Sequence, residues 1–206
     1  MHFWRENFFQ TLKDAAADAA TVPEWADYGA FCTEYERGLR REAFTTLERF
    51  ICSFEHAPFA ERRRFVSWLL LRADGRDGRH MLVPHPLRLR IVEPTLLEWT
   101  VVEPECSEPH RWLGGYDHLR RAIELQPDDE LARKKLVAYI LGRVTFAAHE
   151  LPTGYLGVAR EDLATLMEAE GLLAGLSSGD ERQKLAAEIV EHRAVIQEYL
   201  RKSQQS

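Results

Sequence analysis

The chain reads as mainly α-helical, a multi-helix bundle or helical-hairpin array with one small antiparallel β-hairpin inserted at about residues 82–104. Three observations carry this reading. Apolar residues recur at alternating spacings of three and four through most of the chain, which gathers them on one helical face. Between Leu87 and Val102 the apolar period changes to two, as in half-buried strands. Five of the nine prolines fall between Pro84 and Pro109, so this stretch differs in kind from its flanks. The expected organisation is a single domain, 1–206, with N-terminal helices over 1–74, a proline-rich hairpin segment over 75–111 and C-terminal helices over 112–206.

The N-terminal part is a succession of helices. Trp4, Phe8, Leu12, Ala15 and Ala16 share a face. Thr21 stands three residues before Glu24, the spacing of a capping box. Trp25, Tyr28, Cys32, Tyr35 and Leu39 then run at helical intervals up to Gly38, where glycine accepts the left-handed conformation that ends a helix. Leu39, Ala43, Leu47, Phe50, Ile51 and Phe54 form the next stripe. Pro58 suits the first turn of a helix that buries Phe65, Trp68 and Leu69. After the turn signals in Asp74-Gly75-Arg76-Asp77-Gly78, Leu87, Leu89 and Ile91 alternate with Arg88 and Arg90. Leu97, Trp99 and Val101 alternate with Glu98, Thr100 and Val102. Pro94-Thr95 serves as the turn between these two strands, and Arg88 or Arg90 would face Glu98 across them.

Helices resume with Trp112, Tyr116, Leu119 and Ile123, and Pro127 ends that stripe. Asp128, Asp129 and Glu130 place acids at the following N-terminus, where the helix dipole favours them. Leu136, Ile140, Val144 and Ala147 come next, then Leu163, Leu166, Met167 and Leu173. Ser178 and Glu181 repeat the capping-box spacing before Leu185, Ile189, Ile196 and Leu200. Within 112–141, residues Tyr116 to Ala132 resemble the helix-B end of a tetratricopeptide repeat. Ala122 takes the place of the small packing residue, Pro127 the turn, and Leu131-Ala132 the opening of the next helix. The resemblance covers fewer than twenty of the 206 residues. It implies a protein-binding helical scaffold rather than an enzyme.

Composition bounds the function. The net charge is -6, from 27 Lys plus Arg against 33 Asp plus Glu. This balance argues against a nucleic-acid partner and fits a protein partner, a basic one where charge matters. No apolar run approaches the ~20 residues that span a bilayer. Three cysteines, Cys32, Cys52 and Cys106, are too few and odd in number for a disulfide framework, so the expected compartment is the reducing cytoplasm.

Motifs for nucleophilic catalysis and phosphate loops are absent. His149-Glu150 begins like a metalloprotease helix, but Thr153 stands where the second histidine is needed. The candidate metal ligands are His80, His85, Cys106 and His110. Their types suit tetrahedral zinc, and they flank the expected hairpin, whose pairing would join its ends. No other cofactor is expected. The candidate binding residues are Trp112 and Tyr116 beside Gly114-Gly115, together with Arg63, Arg64 and Arg76 of a basic cluster that also holds Arg62 and Arg79. The leading expectation is a non-enzymatic cytoplasmic interaction module, an adaptor, chaperone-like or toxin-neutralising protein. Its alternative is a metal-dependent enzyme at His80, His85, Cys106 and His110, and a phosphate-binding role for the arginines comes third.

Overall fold

A computed structural model describes residues 3–75, 79–151 and 153–203. The side chains of Trp4 and Phe8, and the whole of Arg76, lie outside the described residues. The chain divides into two compact units, Met1–Pro104 and Glu105–Ser206, and the boundary falls inside the proline-rich segment. The described residues are mainly helical and contain no strand.

The first unit contains α1 (Phe3–Ala19), a 3-10 turn (Pro23–Trp25), α2 (Ala26–Glu36), α3 (Arg40–Phe54), α4 (Phe59–Ala73), α5 (Arg79–Leu82), α6 (His85–Leu87), a π turn (Arg88–Val92) and α7 (Glu93–Val102). Gly38 has a φ of +78°, so the chain turns between α2 and α3 at a position where a Cβ would be strained. Both helices then bury the faces expected of them, with Tyr28 and Cys32 on α2 and Ala43, Leu47, Phe50, Ile51 and Phe54 on α3. Leu39 instead stays on the surface. The core is aromatic: the Phe65 ring lies 5.1–5.4 Å from those of Trp25, Tyr28, Phe50 and Phe54, several of them edge-on. Tyr28 is fully buried, and its hydroxyl donates to the Leu82 carbonyl at 2.8 Å, which ties α2 to α5. Burial pushes the neighbouring Cys32 thiol up to about 12, so it behaves as a small apolar group. At the expected capping box, the Thr21 hydroxyl donates to the Asp18 carbonyl, back into α1.

The β-hairpin expected at 82–104 is not formed. α6, the π turn and α7 follow one another without a break from His85 to Val102. Leu87, Ile91, Val92, Thr95, Leu96 and Trp99 are buried, a helical spacing that contains three of the six residues read as the strands' inner faces. Leu89, Leu97 and Val101 point outward, with Val101 78% exposed. The prolines belong to this helical run. Pro86 sits in the first turn of α6, and Pro94 in the first turn of α7. A proline within a regular α-helix strikes the carbonyl four residues back. The wide turn just before Pro94 absorbs that conflict, and there the Glu93 amide bonds five residues back to Arg88. Arg90 bonds Glu48 of α3 and Glu55, the residue that follows that helix, while Glu98 takes Arg62 of α4 at 2.7 Å. The expected cross-strand pairs are therefore replaced by helix-to-helix ones.

The second unit contains α8 (Ser107–Leu113), α9 (Gly115–Leu125), α10 (Glu130–Ala148), α11 (Ala159–Leu173) and α12 (Asp180–Ser203). α8 ends at Gly114, φ +71°. α9 and α10 are joined through Pro127, with Ala122 fully buried. The Asp129 carboxylate caps α10 by accepting from the Ala132 amide at 2.9 Å. The core gathers Leu136, Val137, Ile140, Leu141 and Val144 of α10 with Leu119, Leu166, Leu173, Ile189 and Ile196. Leu166 and Leu173 are buried as expected, but Met167 is exposed. Among the described residues no helix is long and apolar enough to cross a membrane.

The helical assignment of 93–102 separates two neighbouring leucines. Leu97→Asp should change stability by less than about 0.5 kcal/mol, as expected for an open surface site. Leu96→Asp should cost about 4 kcal/mol or more by burying an unpaired charge. Urea denaturation of both variants checks this, and the reverse ranking would restore a strand that faces Leu97 inward.

Candidate functional site

The buried stripe of α10 leaves an opposite face in solvent, and that face is unusual. Ala138, Tyr139, Gly142, Arg143 and Phe146 lie on it. Gly142 sits in the middle of a 19-residue helix, and a Cβ built there would meet nothing within 4 Å. Packing therefore does not require the glycine, while helix propensity alone would favour alanine there by ~1 kcal/mol. What its missing side chain leaves is the floor of a groove. Tyr139 and Phe146 rise on either side, seven residues apart, and Phe146 is 67% exposed.

The opposite wall comes from the connection to α11. The Leu156 amide donates to the Ala147 carbonyl at 2.8 Å, bringing the returning chain back against the end of α10. Gly157, φ +141°, then turns the backbone into α11 and lets Leu156 and Val158 stand exposed at the groove. The cavity so formed has a volume of about 460 Å³. That lies within the range of ~300–1,000 Å³ typical of ligand pockets. Four large exposed apolar side chains around one depression form a contiguous patch, the kind of surface that marks a binding site.

One end of the groove is polar. Asp162 in the first turns of α11 has a side chain only 6% exposed. One carboxylate oxygen accepts from the Tyr155 hydroxyl at 2.8 Å, and the other faces the Arg143 guanidinium at 3.4 Å. Burial, then the adjoining carboxylate, pushes the Tyr155 phenol upward, which keeps it protonated as a donor. Arg143 itself remains 53% exposed. The lining thus combines apolar side chains with one arginine and two carboxylates, Arg143, Glu161 and Asp162.

The residues expected from sequence lie elsewhere. Trp112 is buried at 7% exposure, its indole N–H donating to Glu108 at 3.2 Å. The Lys135 amine lies 4.8 Å from the ring centroid and the Arg111 guanidinium carbon 5.1 Å. Tyr116 is half-buried and donates to Glu168 at 2.6 Å. In the other unit, Arg63 pairs with Glu103 and lies over Trp99. Arg64 pairs with Glu24 at 3.6 Å and lies over Trp25. These arginines brace the first unit's own acids and rings, and Arg76 lies outside the described residues.

The expected metal ligands divide between the two units, His80 and His85 in the first, Cys106 and His110 in the second. Among the described residues no group of three or more histidines, cysteines or acids could hold a metal ion. The hairpin expected to join its ends is replaced by a helical run from His85 to Val102, about 25 Å long. His80 and His85 are exposed on the first unit, and Cys106 precedes α8 in the second. His110 finds a different neighbour, His118 of α9, with the two Nδ1 atoms 2.9 Å apart. His149 closes α10 and donates through Nδ1 to the Phe146 carbonyl. Sequence reasoning missed the groove entirely, although Gly142 inside an otherwise strong helix, with Tyr139 and Phe146 on the polar face, was a readable signal. Comparison with family models, with curated proteins and with solved structures finds no match.

The histidine pair gives a pH dependence whose sign is fixed. Partial burial, then the charges of His118 and Arg121, lowers the affinity of His110 for its proton. The unfolded chain therefore binds more protons between the lowered folded value and the ordinary 6.5. Its contribution to stability is full above 6.5 and is lost as pH falls through the folded value. Urea midpoints measured from pH 7.5 to 5 should decline, and His110→Gln should flatten the decline. An unchanged slope in that variant would remove the pair as its source.

Proposed function

We propose that this chain is a non-enzymatic cytoplasmic protein-interaction module, an adaptor, chaperone-like or toxin-neutralising protein, that holds a segment of its partner in the α10–α11 groove. The observation that carries this reading is Gly142. A residue that weakens its helix and answers no packing need leaves open a depression rimmed by Tyr139, Phe146, Leu156 and Val158. Glycine lets a ligand approach the backbone closely, and a partner's side chain entering the groove would make such an approach. The reading also draws support from the helical-hairpin build and the resemblance of residues 116–132 to a protein-binding repeat. The acidic balance of the chain favours a basic partner, since opposite charge speeds encounter.

The test uses two substitutions that leave the core alone. Gly142→Leu should raise the melting temperature or leave it unchanged, because the added Cβ meets no atom within 4 Å and leucine improves helix propensity. It should at the same time fill the groove. Phe146→Asp should be equally well folded and lose the apolar wall. The tagged parent chain, incubated with lysate of its source cells at near-physiological salt, should retain a stoichiometric protein that both variants release. Equal retention by parent and variants would move the site away from the groove. An empty capture after crosslinking would end the interaction reading.

A further inference from the structure

Resting on the groove reading above, we infer that the occupant is an apolar peptide segment of the partner that carries a lysine or arginine, whose cation docks on the Asp162 carboxylate. The walls select for apolar side chains, since Tyr139, Phe146, Leu156 and Val158 present rings and aliphatic groups to the opening. The polar end selects for positive charge. Of the three charged residues that line the groove, two, Glu161 and Asp162, are acidic. Asp162 is the deeper and the less satisfied for its depth. A carboxylate offers about four acceptor positions. Asp162 fills one well with the Tyr155 hydroxyl, while its contact with Arg143 lies at 3.4 Å, near the outer limit of a hydrogen bond.

Arg143 then has a specific part. Its guanidinium stands over the carboxylate with half its surface in water, where an exposed ion pair is worth little. A partner cation entering between the apolar walls is desolvated on arrival and meets the same carboxylate at shorter range, where a charge-assisted bond is strong. Arg143 is thus the resident cation that a ligand displaces outward. Neutral apolar segments would leave it in place, and acidic ones would face Glu161 and Asp162. Charge selection and shape selection therefore reside in different residues and can be tested separately.

The experiment selects a displayed library of random twelve-residue peptides on the immobilised full chain, discarding sequences that also bind Phe146→Asp. The survivors should share an apolar pair beside Lys or Arg. Their affinity should fall about tenfold or more on Asp162→Asn, which keeps the acceptor for Tyr155 but removes the charge. Replacing the peptide's basic residue by glutamine should cost a similar factor with the parent chain and almost nothing with Asp162→Asn. Arg143→Gln removes the resident cation and should tighten basic peptides severalfold. This second variant also decides the matter should Asp162→Asn fail to melt cooperatively. Groove-dependent peptides with no basic residue, or with equal affinity for parent and Asp162→Asn, would overturn the charge selection while leaving the groove in place. Recovery of no peptide that depends on Phe146 would overturn the groove itself and this inference with it. Weaker binding of basic peptides to Arg143→Gln would show that Arg143 helps to hold them, and would overturn the displacement.

Discussion

The second unit depends on where α10 begins. Asp129 is almost wholly buried, yet it accepts both the Ala132 amide and the Arg111 guanidinium, the latter at 2.8 Å. The carboxylate thereby satisfies one of the helix's orphan amides and links α8 to the start of α10. Each residue of an α-helix advances about 100°. A slip of one residue would turn Leu136, Ile140 and Val144 out of the core. The same slip would swing Gly142 and Phe146 away from Leu156 and Val158. One buried anion thus sets the register of both faces of the helix, the packed one and the open one.

The groove treats charge differently from the arginines of the first unit. Those arginines turn inward upon acids of the same unit: Arg62 on Glu98, Arg63 on Glu103, and Arg90 on Glu48 and Glu55. These side chains lay their stems over aromatic and aliphatic surface and finish in ion pairs. A basic cluster in sequence has become a set of struts. At the groove the Arg143–Asp162 pair is longer, at 3.4 Å, and half open. Charge there is left available.

Much of the architecture could be read from spacing alone. The stripe that starts at Leu39 is buried from Ala43 through Leu47, Phe50 and Ile51 to Phe54, with Leu39 alone outside, and Leu136, Ile140, Val144, Ala147 is buried whole. Both are long runs whose period admits one interpretation. The segment from Leu87 to Val102 admits two, because Leu87, Ile91 and Trp99 satisfy a period of two and a helical spacing equally. Val92 and Leu96, apolar neighbours of those positions, separate the readings, and Pro94 reads equally as a turn between strands or as the first turn of a helix. The groove was hidden for another reason. Its walls come from the solvent side of one helix and a connection some ten residues on, and apolar periodicity marks only the buried face opposite them. Trp112 drew attention by its size, but size here serves the interior.

The π turn at Arg88–Val92 has a consequence for chain length. Such a turn is a helix that has taken up one surplus residue without losing its axis. Loss of a single residue among 88–90 would shorten the interval from Leu87 to Ile91 from four to three, and both intervals return a side chain to the same face. Homologous chains that differ by one residue at this point would therefore keep an identical buried surface on α7. Alignments that force a gap into a neighbouring loop would misplace every position from there to Trp99.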